Sequence, residues 1–241
     1  MTTPNVAMVL AAGLGQRLRP LTDHCPKPLI AVGGRTLIDH ILDRLVAAHV
    51  QRAVVNVHAF ADQMEAHLRA RRDIEIVISD ERAALLNTGG GIKHARSALG
   101  EGPIWIANSD YVWIEQGEGG CAAIARTWDA SRMDVCLTVI PKERTSGFDT
   151  PGDFFADDAG RLIFRGEAAT APLHCFGVGI LDPQLIYSHP GAVFSQLEIW
   201  KSAAQQRRLF GVSPGGFWMQ VGDPQARIEA EARLGAAHVP T

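Results

Sequence analysis

Short apolar runs alternate with amphipathic segments through the first 141 residues of this 241-residue chain. The runs are bounded by glycine or polar residues, which is typical of buried β-strands, and the segments between them carry apolar residues at helical spacing. A helix over residues 37–46 with Thr36 as its N-cap is the clearest case. The pattern predicts strands at residues 6–10, 53–57, 74–78, 104–107 and 135–140, and further helices at 60–71, 87–99 and 121–128.

This alternation predicts an α/β fold, a Rossmann-like doubly wound and mostly parallel mixed sheet flanked by helices. In such sheets, ligands collect at the carboxyl ends of the strands. The pattern changes after Pro141, where polar, turn-rich sequence leads to a predicted hairpin around residues 157–160. The remaining elements are predicted as strands at 173–181 and 209–212 and helices at 195–207 and 224–234.

Composition narrows the classes of function. A hydrophobic content of 46% and a net charge of −3 are those of an ordinary globular protein without a basic field for nucleic acid. No apolar stretch approaches the roughly 20 residues of a membrane span, and the N-terminus lacks a signal-peptide pattern. The four cysteines are widely spaced, which argues against a zinc site or a disulfide framework. We therefore expect a cytoplasmic protein that binds neither nucleic acid nor membrane.

The first predicted strand ends in a loop of small residues, Ala11-Ala12-Gly13-Leu14-Gly15. Small side chains allow backbone N–H groups to approach a phosphate chain closely, and the basic residues Arg17, Arg19 and Lys27 follow. The loop is not the dinucleotide fingerprint, because Leu18 stands where the third glycine is needed, and it is not a P-loop. The residues alone leave open a glycine turn followed by surface arginines.

The stretch LAAGLGQRLRP followed by PKPL resembles the signature loop of the sugar-nucleotide pyrophosphorylases, which are nucleotidyltransferases acting on sugar 1-phosphates. The likeness continues through LIDHILDRLVAAHV, VNVHAFADQMEAHL and LLNTGGGI, and returns weakly near GFWMQVGDP. Within this family the chain is most similar to short bacterial N-acetylmuramate-1-phosphate uridylyltransferases of cell-wall recycling. The resemblance implies a single nucleotidyltransferase domain over residues 1–241, a monomer or homodimer, with a nucleotide-binding half (1–141) and a sugar-side lobe (142–241).

The resemblance also assigns site residues. Catalytic roles fall to Lys27 at the reacting phosphates, Arg17 at the departing pyrophosphate and Asp110 as a ligand of Mg²⁺. The candidates for nucleotide binding are Leu10, Ala11, Ala12, Gly13, Gly15, Asn87, Thr88 and Gly89, and those for sugar binding are Asn108, Gly152, Asp153 and Glu167. A flexible linker at the glycines after Thr88, a turn at Asp110 and surface turns at Asp153 and Glu167 are the open alternatives.

One segment departs from the family pattern. Many relatives carry Trp-x-Asp-x-Gly-Thr near the C-terminus, and its Asp is the second metal ligand. This chain places Gln220 at the ligand position and Asp223 where Thr is usual. An amide oxygen can bind Mg²⁺ without contributing charge, so both residues are candidates for the metal site. Asp223 followed by Pro224 is equally a good helix start.

The expected reaction joins an NTP, with UTP favoured, to a sugar 1-phosphate, with N-acetylmuramate 1-phosphate favoured, and gives an NDP-sugar and pyrophosphate. The reaction depends on Mg²⁺ and proceeds by in-line attack on the α-phosphate. The attacking phosphate has a second pKa of about 6 and needs no activating base at neutral pH. Two alternatives stay open. One is the same chemistry with a hexose 1-phosphate, heptose 1-phosphate or phosphocholine acceptor, and the other is a non-catalytic nucleotide-sugar-binding protein.

Overall fold

The computed structural model describes residues 3–237, and a mixed sheet of nine strands forms its centre. The strands of this sheet and of two smaller ones are β1 (Val6–Leu10), β2 (Ala31–Val32), β3 (Arg35–Thr36), β4 (Arg52–Val57), β5 (Glu75–Asp80), β6 (Ile104–Asn108), β7 (Tyr111–Ile114), β8 (Val135–Pro141), β9 (Thr145–Ser146), β10 (Phe154–Ala156), β11 (Leu162–Phe164), β12 (Leu173–Leu181), β13 (Leu209–Val212) and β14 (Phe217–Gln220). The helices are α1 (Leu37–Ala47), α2 (Ala61–Leu68), α3 (Asn87–His94), α4 (Arg96–Leu99), α5 (Gly120–Thr127), α6 (Gln184–Tyr187), α7 (Gln196–Gln205) and α8 (Pro224–Ala237).

The order of strands confirms the predicted α/β fold. β1 lies between β4 and β6 and is parallel to both, and β5 extends the parallel part beyond β4. β12 then runs antiparallel to β6 and β8, and β13 is parallel to β8. The carboxyl ends of β1, β4, β5 and β6 therefore meet at one edge of the sheet, where the chain continues into loops.

The parallel strands are buried on both faces, which explains why their sequences read as unbroken apolar runs. Ala7 and Val9 belong to the core under α1 and α2, whereas Met8 points to the opposite core under α3, α6 and α7. Side chains of a strand alternate between faces, so one short strand serves both cores. α1 begins at a side-chain cap, because the Thr36 hydroxyl accepts the Asp39 N–H, as predicted.

A second sheet of β7, β14 and β9 lies beside the main one and was not predicted. These strands have two to four residues, too few to show a hydrophobic period. β14 pairs antiparallel with β7 so that Gln220 lies opposite Tyr111. The rings of Trp113 and Trp218 stack with their centroids 4.5 Å apart. This sheet ties the segment after β6 to the C-terminal part of the chain.

Several predicted boundaries were wrong. The helix predicted over 87–99 is two helices that meet at Ala95, and the one predicted over 60–71 spans only Ala61–Leu68. The three glycines after Thr88, for which a flexible linker was the open alternative, lie inside α3. The N–H groups of Gly89 and Gly90 donate to the carbonyl of Phe194 at 2.9 and 3.1 Å. Propensity disfavours glycine inside a helix, and this contact with the 192–194 segment offsets that cost.

Strands from both predicted halves share the main sheet, since β12 pairs with β6 and β8. This continuity supports a single domain over residues 1–241, which stays a prediction; its first two and last four residues lie outside the described part. No helix within residues 3–237 is long and apolar enough to cross a bilayer.

The stacked indoles predict a large cost of truncation. Trp218 is fully buried, between the Trp113 ring and the edge of Phe176. We expect Trp218→Ala to lower the free energy of unfolding by about 3–5 kcal/mol, as for other buried aromatic residues. Ile228→Ala on α8, where the side chain is 57% exposed, is the control and should change stability by less than about 0.5 kcal/mol. Urea denaturation measures both, and similar midpoints for the two variants would contradict this account of the core.

Candidate active site

A cleft of about 680 Å³ opens at the carboxyl ends of β1, β4 and β6. Most of the residues predicted to bind nucleotide or to act in catalysis line it together: Leu10, Ala11, Ala12, Gly13, Gly15, Arg17, Lys27, Asn87, Thr88 and Asp110. Asn108, predicted to bind sugar, lines it as well. A larger surface groove of about 1010 Å³ runs along the edge strand β5 and holds none of the predicted site residues. The predicted site residues therefore gather in the smaller cleft and not in the larger groove.

The loop after β1 is held in shape by side chains behind it. The Ala11 N–H donates to Asn56 Oδ1 at 2.7 Å, and the Thr22 hydroxyl donates to the Gly15 carbonyl at 2.9 Å. Gly15 has a φ of 62°, and a Cβ there would lie 2.8 Å from the Cβ of Lys27. Only glycine combines this left-handed conformation with such close packing. The loop is thus preorganised, and Lys27 is packed directly against it.

A buried hydrogen-bond chain extends from this loop to the start of α3. Asn56 Nδ2 donates to Glu81 Oε1 at 2.7 Å, and Glu81 Oε2 accepts the Leu86 N–H at 3.2 Å. Glu81 is only 2% exposed. A Cβ on Gly91 would lie 2.6 Å from Glu81 Oε1, so this glycine makes room for the carboxylate. Sequence reasoning missed Asn56 and Glu81, although a lone polar residue within the apolar run 53–57 was an available signal.

Lys27 and Asp110 form an ion pair in the cleft, with Lys27 Nζ 2.7 Å from Asp110 Oδ2. Their side chains are 13% and 19% exposed. Lys27 begins a single turn of 3₁₀-helix over Lys27–Leu29. It stands between Pro26 and Pro28, and these prolines restrict the backbone on both sides of it. Asp110 comes two residues after β6, and its carbonyl accepts the Val221 N–H at 2.8 Å. A fixed cation and a fixed anion therefore stand side by side where the loop meets the end of β6.

Arg17 lies at the rim of the cleft. Its side chain is 59% exposed, and Nη1 is 2.9 Å from Asp149 Oδ2, a carboxylate that is itself exposed. Gly222 leaves space beside the guanidinium, because a Cβ there would lie 3.2 Å from Nη2. Arg19, by contrast, pairs with Asp23 and is not part of the cleft lining. Of the two arginines that follow the loop, only Arg17 is therefore placed to meet a ligand in the cleft.

The start of α3 contributes a second wall. Asn87 and Thr88 line the cleft, and the Thr88 hydroxyl accepts the Gln196 N–H at 2.9 Å. Gly89 does not line the cleft, and a Cβ on it would lie 2.4 Å from the ring of Phe194. Its placement therefore supports a packing role rather than the predicted contact with nucleotide. Two exposed apolar side chains that sequence reasoning missed, Leu85 and Val193, line the same wall.

The three metal candidates are placed differently. Asp110 lines the cleft, whereas Gln220 and Asp223 do not, and Gln220 Nε2 is 3.5 Å from the Tyr111 hydroxyl. Asp223 Oδ1 accepts the Ala226 N–H at 2.8 Å, so it caps α8, the alternative that the sequence left open. Residues 3–237 contain no group of three or more His, Cys, Asp or Glu that could hold a metal. One carboxylate beside a phosphate site still fits Mg²⁺, whose remaining ligands are then phosphate oxygens and water.

A second cavity of about 360 Å³ shares Asn108 with the cleft. It brings together three of the predicted sugar-binding residues, Asn108, Gly152 and Asp153. Asp153 Oδ2 accepts the Cys175 N–H at 2.8 Å, which fixes the carboxylate. The fourth, Glu167, is exposed and lies outside the lining.

The charges of this second cavity come from three side chains, Asp153, Arg165 and Lys201, and sequence reasoning missed the two basic ones. Burial raises the pKa of the Tyr111 phenol well above its ordinary value, and the nearby Asp110 charge adds to this. Burial likewise raises the pKa of the Cys175 thiol. Both groups line the cavity and stay neutral near pH 7, so the cavity carries one carboxylate and two cations.

Comparisons with known proteins agree with this geometry and confirm the resemblance found in the sequence. Residues 6–148 match the sequence model of the nucleotidyl transferase family. The chain is 52% identical to the N-acetylmuramate alpha-1-phosphate uridylyltransferase of Caulobacter vibrioides, covering 97% of this chain and 98% of that one. It is 31% identical to the enzyme of the same name from Neisseria meningitidis serogroup B, covering 95% and 98%.

Solved structures show the same fold. A UDP-glucose pyrophosphorylase complexed with UDP-glucose superposes with a TM-score of 0.78 at 14% identity, covering 96% of this chain and 98% of that one. The inositol-1-phosphate CTP transferase from T. maritima gives 0.77 at 14% identity, covering 100% and 99%. With the family match over more than half its length and a relative of the same length at 52% identity, the chain belongs to the nucleotidyl transferase family of enzymes.

Proposed function

We propose that this enzyme transfers the uridylyl group of UTP to N-acetylmuramate 1-phosphate, forming the UDP-sugar and pyrophosphate. The observation that carries the chemistry is the ion pair of Lys27 and Asp110. Asp110 follows Asn108 by two positions in the chain, and Asn108 lines both cavities. The choice of UTP and of this acceptor is supported by the 52% identical relative that bears the corresponding name.

The two cavities offer separate places for the two substrates. The triphosphate is assigned to the loop over residues 11–15. The Ala11 N–H is already donated to Asn56, and the N–H groups that follow it can serve a polyphosphate. The base is assigned to the wall formed by Asn87 and Thr88 with the apolar side chains of Leu85 and Val193. The acceptor sugar takes the second cavity, and its phosphate then reaches the reacting centre past Asn108. Both a monomer and a homodimer are compatible with the proposal.

The barrier to this reaction is the approach of two anions and the charge that develops at the α-phosphorus. Lys27 offsets that charge from a fixed position, and Arg17 at the rim is placed to neutralise the departing pyrophosphate. The acceptor phosphate is the nucleophile and is largely ionised at neutral pH. Asp110 would hold Mg²⁺, which supplies additional positive charge to the reacting phosphates. Gln220 stays the candidate for a second ligand. The hydrogen bond of Asp223 to the Ala226 N–H supports the helix-start alternative for that residue.

We place the reaction in the cytoplasm, where UTP is made. The four cysteines, all unpaired, suit a reducing compartment. Neither nucleic acid nor a membrane is needed as a partner.

The Lys27–Asp110 pair gives the first test of the mechanism. Lys27→Ala and Asp110→Asn should each lower kcat by about 100-fold or more, the scale seen when a preorganised charge-stabilising group is removed. Arg19→Gln, in the same loop but outside the cleft, is the control and should keep near wild-type turnover. Steady-state pyrophosphate release measures the effect, and circular dichroism shows that each variant is folded. Near-normal turnover by a folded Asp110→Asn enzyme would remove Asp110 from the metal site.

A substrate panel tests the identity of the reaction. With Mg²⁺ and UTP we expect rapid pyrophosphate release with N-acetylmuramate 1-phosphate and slower release with N-acetylglucosamine 1-phosphate or glucose 1-phosphate. Activity with a different NTP, or with a heptose 1-phosphate or phosphocholine instead, would keep the mechanism and reject the named substrates. Nucleotide-sugar binding without any release across the panel would show a binding protein and contradict the proposal.

A further inference from the structure

The second cavity is lined by two cationic side chains and one carboxylate, and the carboxylate is bonded to other groups. Asp153 already accepts hydrogen bonds from the Cys175 N–H and the Thr150 hydroxyl. Arg165 Nε donates to the Gly152 carbonyl at 3.0 Å and Nη1 to the Ala168 carbonyl at 2.7 Å. Within residues 3–237 the hydrogen bonds of the Arg165 side chain go only to main-chain carbonyls, and neither Arg165 nor the Lys201 ammonium forms an ion pair. Two cations thus line one small cavity, and its one carboxylate, Asp153, is held by hydrogen bonds from other groups.

Both cations belong to built parts of the cavity wall. The turn that holds Arg165 is fixed by Gly152, which has a φ of 101° and whose added Cβ would lie 2.0 Å from the Ala171 carbonyl oxygen. Lys201 follows Leu197 by one helical turn on α7, and both residues line the cavity, so they share a helix face. The start of α7 is anchored to the nucleotide cleft through the Thr88 hydroxyl. The two cations are therefore held relative to the place where the acceptor binds.

The phosphate of the acceptor does not account for these cations. To react, that phosphate has to reach Lys27 and Asp110, which line the neighbouring cleft and not this cavity. A second anionic group on the acceptor would meet Arg165 and Lys201 instead. The planar guanidinium fork suits a carboxylate in two-point contact, and the flexible ammonium adds a point charge.

We propose that Arg165 and Lys201 form a carboxylate subsite that selects acidic sugar 1-phosphates over neutral ones. This inference rests on the proposed function, and for N-acetylmuramate 1-phosphate the group bound is the carboxylate of its lactyl ether. Such a subsite gives a chemical reason for an acidic acceptor. The sequence motifs alone give no such reason.

A comparison of two acceptors tests the subsite. N-acetylglucosamine 1-phosphate lacks only the lactyl group, so we compare its kcat/KM with that of N-acetylmuramate 1-phosphate, with UTP and Mg²⁺ constant. Lys201→Gln should lower kcat/KM for the acidic acceptor about fivefold, the upper range for an exposed ion pair. Arg165→Gln should lower it about tenfold, as for a hydrogen bond to a charged group. Both variants should change kcat/KM for the neutral acceptor less than twofold.

Arg207→Gln is the matched control. Arg207 is exposed just beyond the C-terminal end of α7 and outside the cavity, so its loss removes the same charge without touching the subsite. Lys201→Glu extends the series, because a carboxylate there should repel the acidic acceptor and lower its kcat/KM further than Lys201→Gln does. The two Lys201 variants keep the test decisive if Arg165→Gln disturbs the turn that its carbonyl contacts hold.

The outcomes separate this inference from the proposed function. Equal losses for both acceptors would mean that the cations bind a shared group such as the phosphate, and an unchanged preference in the variants would mean that they bind neither. Both results overturn the subsite while leaving the uridylyl transfer intact. A wild-type enzyme that prefers the neutral acceptor, or uses only that one, would overturn the subsite together with the named substrate.

Discussion

The site depends on the parallel placement of β1 between β4 and β6. That register sets Leu10 opposite Asn108, and the Ser109 N–H donates to the Leu10 carbonyl at 3.2 Å. The small-residue loop, Asn56 and Asp110 all follow from strand ends at this edge, where doubly wound sheets bind their ligands. Because β1 is buried on both faces, a shift by one residue would exchange its two sets of core side chains. The packing of the core thus fixes the geometry of the cleft.

The cations of the cleft are paired with protein carboxylates, which substrate phosphates could replace. Both of its cations are paired with carboxylates, Lys27 with Asp110 and Arg17 with Asp149. The Arg17 pair is exposed and contributes about 0–1 kcal/mol, so the guanidinium can transfer to a phosphate at little cost. The Lys27 pair is mostly buried and keeps its position in the structure. An exposed cation at the rim and a mostly buried one at the centre match the departing pyrophosphate and the reacting phosphates of the proposed reaction.

Local motifs carried the parts of the site that sequence could predict. The small-residue loop, Lys27 and Asp110 each belong to a short contiguous motif, and the structure brings them into one cleft. Glycine content alone could not tell which face of α3 would meet a ligand, so Gly89 was expected at the nucleotide and lies against Phe194.

The parts that sequence missed arise from contacts between distant segments. Glu81 meets Asn56 across 25 positions. The cavity that holds Arg165 and Lys201 forms only where the open end of the β10–β11 hairpin lies beside α7. Hydrophobic periodicity reports which residues face the core of their own element, and it carries no information on such encounters.

The central claim is that the acceptor phosphate attacks the nucleotide directly. Hydroxyl groups in the cleft are engaged with the main chain, since the Ser109 hydroxyl donates to the Leu10 carbonyl and the Thr88 hydroxyl accepts the Gln196 N–H. Isotope exchange between labelled pyrophosphate and UTP, measured with and without a sugar 1-phosphate, tests this step. Direct attack by the acceptor predicts no exchange until the acceptor is added. Rapid exchange in its absence would reveal a covalent nucleotidyl-enzyme and contradict direct transfer.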